Sequence, residues 1–244
     1  MQKLYQKSEL GFAMAVIGAY CLLMSVGDNL SADIGITDAV TLPVAATLSV
    51  ILYLFISKNG LKGKYGLCKP EARASELLFY APLLLILTVN LWYGVNLSLS
   101  VVETLIYILT MFCVGFLEEV IFRGLLFKAV LKDNFRVAVV ISSVTFGIGH
   151  IINLFNGSGA QLLPNILQVI YAIAAGFMFV MLFYKSGSLI PCIIGHGAFN
   201  ALSVFCDETA LTLKQRAVSC VFLVAVSGWY AAYIAKKKKR DEKC

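Results

Sequence analysis

The chain has little charge and little histidine. Charged residues make up 14% of its 244 residues, against roughly 25% in an ordinary soluble protein. That leaves no material for a soluble domain of any size. With only two histidines, His150 and His196, a metal site and a separate base would be thinly supplied. No His-Glu-x-x-His helix is present, so the zinc-peptidase signature of that kind is excluded. None of the seven cysteines forms a Cys-x-x-Cys pair, and most lie in apolar runs, where they read as small buried hydrophobes. Neither internal repeats nor paired broken helices are visible, and these would mark a transporter.

What the chain does have is apolar length. It is 59% hydrophobic, with a mean hydropathy of +0.84, and several runs approach or exceed the ~20 residues that cross a hydrocarbon core. The expected fold is all-α, a polytopic transmembrane helical bundle of about eight spans. These fall near residues 10–27, 39–57, 77–94, 101–131, 137–155, 165–184, 188–205 and 215–235. The first run lacks a small-residue cleavage site and reads as a retained helix rather than a signal peptide. One integral membrane domain, 1–244, is expected, with spans lacking motifs at 1–100, a catalytic core at 101–205, and a last span with a basic tail at 206–244.

Charge orients this bundle. Of the 20 Lys and Arg residues, 18 fall in segments assigned to one side, and only Lys214 and Arg216 fall opposite. This asymmetry predicts that both termini are cytoplasmic. The net charge of +6 is thereby accounted for by loops and tail, without a nucleic-acid partner.

Two adjacent carboxylates, Glu118 and Glu119, stand inside the apolar run 101–131. Ionisable groups at such depth cost about 2.5–3.5 kcal/mol each on insertion scales and mark function. At about 1.5 Å of rise per residue, Glu118 lies about 21 Å inward from Lys132. His150 lies about 20 Å inward from Val137, and His196 and Asn200 about 16 and 22 Å inward from Lys185. The four groups, on three helices, reach one level. Glu119 and Arg123 are four residues apart with the acid first, the better order for a salt bridge. Glu118 then points about 100° away, free to face a cavity. His196 and Asn200 also share a helix face, as do Phe146 and His150. Gly147 and Gly149 flank one histidine's helix, Gly195 and Gly197 the other, allowing close backbone approach or leaving space for substrate.

A hydrolytic site needs a base for water, an oxyanion stabiliser and a proton donor for the leaving group. Glu118 suits the base, with His150 positioning the water. His196 and Asn200 suit the oxyanion donors. Glu119, Arg123 and Phe146 read as structural support. A metal reading competes, in which Glu118, His150 and His196 hold a divalent ion such as zinc. It leaves only Glu119, already paired with Arg123, to act as base, so the metal-free glutamate is favoured and no cofactor is expected.

The three motifs Glu118-Glu119-x-x-x-Arg123, Phe146-x-x-x-His150 and His196-x-x-x-Asn200, in this order on separate apolar segments, resemble those of the CAAX protease and bacteriocin-processing (CPBP, Abi) family of intramembrane endopeptidases. The resemblance covers roughly residues 115–202, with every motif position kept. It implies a membrane-embedded peptidase open toward the cytoplasm. Its substrate would be a membrane-associated peptide or protein, either prenylated or a peptide precursor. Eukaryotic members trim prenylated CAAX proteins, and bacterial relatives serve peptide maturation, bacteriocin self-immunity and signalling. The compact chain suits a bacterial member in the plasma membrane. A non-proteolytic membrane scaffold and a proton-coupled transporter are the alternative classes.

Overall fold

A computed structural model of the chain describes residues 1–70, 80–207 and 210–236. Arg73, the expected start of the third span at Leu77 and most of the basic tail lie outside the described residues. Within them every regular element is helical. The short α1 (Gln2–Lys7) leads into α2 (Glu9–Ile34), which Ser8 caps by accepting from the Gly11 N–H and which Gly35 ends in a left-handed turn. Next come α3 (Thr41–Lys58), α4 (Ala81–Leu87) and α5 (Val101–Glu118), the last started by a Ser100/Glu103 capping box. From Glu119 to Leu126 the same helix is π-wound, and α6 (Phe127–Leu131) completes it. The remainder is α7 (Phe135–Gly149), α8 (Leu162–Ser186), α9 (Ile190–Leu202) and α10 (Leu213–Ala235).

Among the described residues six helices are long and apolar enough to cross a membrane: Glu9–Ile34, Thr41–Lys58, Val101–Leu131, Phe135–Leu154, Leu162–Ser186 and Leu213–Ala235. The bundle is all-α and polytopic as expected, with two of the about eight expected spans short. The third and seventh are the shorter helices Ala81–Leu91 and Ile190–Phe205. Each carries proline in its first turn and closes in a 3₁₀ segment. Ile190–Phe205 is thus about 25 Å long, against ~30 Å of hydrocarbon.

Both short helices nevertheless help join the two ends of the bundle. At the basic end Glu9 pairs with Lys64 (2.7 Å) and Lys132 (2.8 Å), and the Leu189 N–H donates to the Gly66 carbonyl (2.8 Å). At the other end the Asn96 N–H donates to the Phe205 carbonyl (2.8 Å), and Asn90 donates to the Phe199 carbonyl (2.7 Å). Helix α9 therefore begins beside Gly66 and finishes beside Asn96.

Two close helix crossings fix the interior. A Cβ built on Gly115 of α5 would stand 2.8 Å from the Cα and N of Gly197 on α9. One on Gly147 of α7 would stand 2.8 Å from the backbone N of Ile173, and one on Gly176 would stand 2.9 Å from the Cα of Ser143. Without side chains at these points, α5 meets α9 and α7 meets α8 backbone to backbone. Gly149 and Gly195 have no such role, since a Cβ there meets nothing closer than ordinary contact.

Two polar groups sit elsewhere than the sequence suggested. Asp28, expected in the loop after the first span, lies inside α2, where its carboxylate accepts from Thr41 (2.9 Å) and Asn156 (2.8 Å). Arg123, counted with the basic flank in the charge tally, is fully buried in the core.

Candidate active site

The α5–α9 crossing makes the site. Gly115 and Gly197 touch, so Glu118, nearly one turn on from Gly115, meets His196, the neighbour of Gly197. His196 Nε2 lies 3.4 Å from Glu118 Oε2, and its Nδ1 lies 2.9 Å from Glu119 Oε1. A carboxylate only accepts, so Nδ1 carries the proton of that hydrogen bond. The imidazole thus spans the two adjacent glutamates.

Glu119 and Arg123 are both fully buried and pair at 3.1 Å across one turn. Every residue of the π-wound segment is buried, and single π-turns concentrate at functional positions in helices. The Arg123 guanidinium also lies over the Phe146 ring at 4.0 Å and faces Phe179 at 5.5 Å. A cation over aromatic faces in a dry setting gains roughly 2 kcal/mol, which helps offset its removal from water. Phe146 does more than pack. Its ring meets the edges of both histidines, at 5.3 Å for His150 and 5.5 Å for His196, while Phe179 stacks on His196 at 5.6 Å.

A cavity of about 50 Å³ opens beside this cluster, room for a few waters. His150, His196 and Asn200 line it, with Phe146, Gln168 and Phe199 among the others. His150 sits where α7 turns into a 3₁₀ segment, and its carbonyl accepts from Asn165 (2.8 Å). Asn200 is anchored through its carbonyl, which accepts from Ser203 Oγ (2.6 Å).

Glu118 is not part of that lining. Its Oε1 accepts from the Tyr20 hydroxyl at 2.7 Å, and its Oε2 lies 3.4 Å from Nε2 of His196, which lines the cavity. Three of the four expected groups share the cavity. The fourth adjoins His196, which lines it.

Residues 99–202 match the family model described as Type II CAAX prenyl endopeptidase Rce1-like. The match marks this segment, less than half of the chain, as similar to that family. Over 111 residues, 45% of this chain, the sequence is also 31% identical to an uncharacterized protein of Mycoplasma capricolum subsp. capricolum. The aligned stretch spans 30% of that relative.

The Rce1-like segment contains Glu118, Glu119, Arg123, Phe146, His150, His196 and Asn200 but not Tyr20. Sequence reading missed Tyr20 because a tyrosine on the apolar stripe of a span looks like packing. Its depth was the available signal. Eleven residues after Glu9, it lies about 17 Å inward, close to the level of the other groups.

The metal alternative fits this arrangement poorly. Glu118 turns toward Tyr20, and His196 Nδ1 is committed to Glu119. Among the described residues no three His, Cys, Asp or Glu side chains converge on one ion. No step below is therefore routed through a metal.

Proposed function

We propose that the chain is an intramembrane endopeptidase that cleaves a membrane-associated peptide or protein with a water activated by Glu118. The observation that carries this reading is the Glu118–His196–Glu119 relay, at 3.4 and 2.9 Å, set against a cavity lined by His150, His196 and Asn200.

The chemistry follows from who holds which proton. The step takes His196 in its doubly protonated form, which leaves the buried quartet of Glu118, Glu119, Arg123 and His196 with no net charge. Glu119 holds the ring through Nδ1, leaving Nε2–H to donate. Glu118 Oε2, the oxygen Tyr20 does not hold, removes a proton from a water positioned by His150. The water oxygen attacks the scissile carbonyl, whose oxygen becomes an oxyanion accepting from His196 Nε2–H and the Asn200 amide. Collapse breaks the C–N bond, and the proton on Glu118 passes to the leaving amine. Preorganised donors of this kind contribute about 10²–10³ in rate each.

The cavity walls are mostly apolar and aromatic, which suits a segment presented from within the bilayer rather than a charged soluble peptide. In this reading the basic end faces the cytoplasm of a cell whose plasma membrane the bundle spans, and the partners are lipid and that substrate. Mass spectrometry of peptides from membranes carrying wild type or Glu118→Gln tests it. One precursor accumulating uncleaved with Glu118→Gln is the expected result, with turnover of the purified enzyme lowered about 10²-fold or more. Identical peptide profiles would overturn the peptidase and favour the scaffold.

A further inference from the structure

Helix α2 lies outside the Rce1-like segment, yet it packs directly on the π-wound turn that carries Glu119 and Arg123. Its inward stripe runs through Phe12, Ala13, Val16, Ile17, Tyr20, Met24 and Gly27, apolar or small except at one position. A phenol there must find a partner or lose free energy comparable to an unmade hydrogen bond. Its partner is Glu118 Oε1, at 2.7 Å, the shortest contact that carboxylate makes among the described residues.

We infer that Tyr20 is a positioning residue for Glu118: its hydroxyl anchors Oε1 so that Oε2 is the oxygen turned to His196 Nε2. The inference rests on the proposed role of Glu118 as base. Without the hydroxyl, a glutamate with three rotatable bonds could present either oxygen, or turn away from His196 altogether. The phenol makes one oxygen a fixed acceptor and leaves the other for the water. It does not touch the cavity, so its effect passes through Glu118. Other titratable groups around that carboxylate are Cys21 beside Tyr20 on α2, His196 on α9, His150 on α7, and Glu119 and Arg123 on its own helix.

Tyr20→Phe removes one oxygen and keeps the ring. In the purified full-length protein three readouts separate positioning from packing. Turnover is expected to fall about tenfold with KM little changed. The pH profile of kcat is expected to differ from that of wild type, because the carboxylate has lost a hydrogen-bond partner. Third, the carboxyl infrared bands of Glu118, identified by their loss in Glu118→Gln, are expected to shift with Tyr20→Phe. A variant that is less heat-stable but retains the wild-type pH profile and Glu118 bands would show a packing role and overturn the inference. If wild type cleaves nothing, the peptidase reading fails on its own. The infrared comparison still decides: unshifted bands sink the positioning role, and shifted bands keep it.

Discussion

Gly115→Ala adds a single methyl where α5 and α9 touch, and its consequence can be worked from the backbone. The new Cβ would stand 2.8 Å from both the Cα and N of Gly197 and 3.3 Å from the Ile193 carbonyl oxygen. These are main-chain atoms of a helix, so no rotamer change relieves the clash. Restoring ordinary contact at 3.4 Å requires the helices to part by about 0.6 Å at this point. Overpacking of this kind costs about 1–3 kcal/mol. The separation also opens the gaps between His196 and both glutamates, now 3.4 and 2.9 Å. The 2.9 Å hydrogen bond then approaches the 3.5 Å at which it ceases to be one. Catalytic geometry tolerates less than stability does, and a displacement of about 1 Å can lower a rate 10²-fold. Gly115→Ala is therefore expected to lose roughly tenfold or more in turnover while remaining folded, with its thermal midpoint in detergent lowered. Gly18→Ala is the control: its Cβ meets nothing within 4 Å, and alanine is the better helix former. Gly18→Ala should equal or exceed wild type in both measurements. Equal behaviour of the two variants would refute the claim that the Gly115–Gly197 approach sets the site.

Two further perturbations address charge. Glu119→Gln leaves the Arg123 guanidinium fully buried without its carboxylate, and breaking a buried pair from one side costs about 3–5 kcal/mol. A thermal midpoint in detergent well below that of wild type is expected, and restoration by the double variant Glu119→Gln, Arg123→Met would confirm the cause. Asp38, in the turn between α2 and α3, is pushed from 3.8 to about 6 by burial and by the nearby Asp28 charge, against an opposing hydrogen bond from Thr110. The folded state thus holds this proton more tightly than the unfolded chain. The associated stability is fully present below pH 3.8 and is lost as pH rises to about 6, up to roughly 3 kcal/mol. Equilibrium unfolding between pH 4 and 7 should show this slope in wild type and not in Asp38→Asn.

Much of this architecture is legible in residue order alone. Apolar runs locate the six long and two short apolar helices of the described residues, because hydrocarbon length is set by residue count. Depth along those runs puts Glu118, His150, His196 and Asn200 near one level. What residue order does not disclose is winding. A regular α-helix leaves Glu118 about 100° from Glu119, one serving a cavity and the other serving Arg123. The helix is π-wound from Glu119, and both carboxylates reach His196, one at each ring nitrogen. Hydropathy is equally blind to the 3₁₀ ends that shorten the third and seventh helices, and it sends Asp28 to a loop because it cannot see Thr41 and Asn156 waiting to satisfy it. Each departure comes from a polar partner supplied by a distant segment.

Tyr20 is the instance with the widest consequence. Motif matching stops at residue 99 and leaves the first two full-length helices as apparent scaffolding, yet the carboxylate assigned to the chemistry makes its shortest contact with one of them. An intramembrane carboxylate is expensive wherever it faces hydrocarbon. The helix that covers it must therefore offer a donor, and an apolar helix could not take its place. Exchange of α2 for an unrelated apolar span would preserve hydropathy and leave Glu118 Oε1 facing hydrocarbon. Helix α2 is in this sense part of the proposed site, recruited by the solvation demand of a single glutamate rather than by any motif of its own.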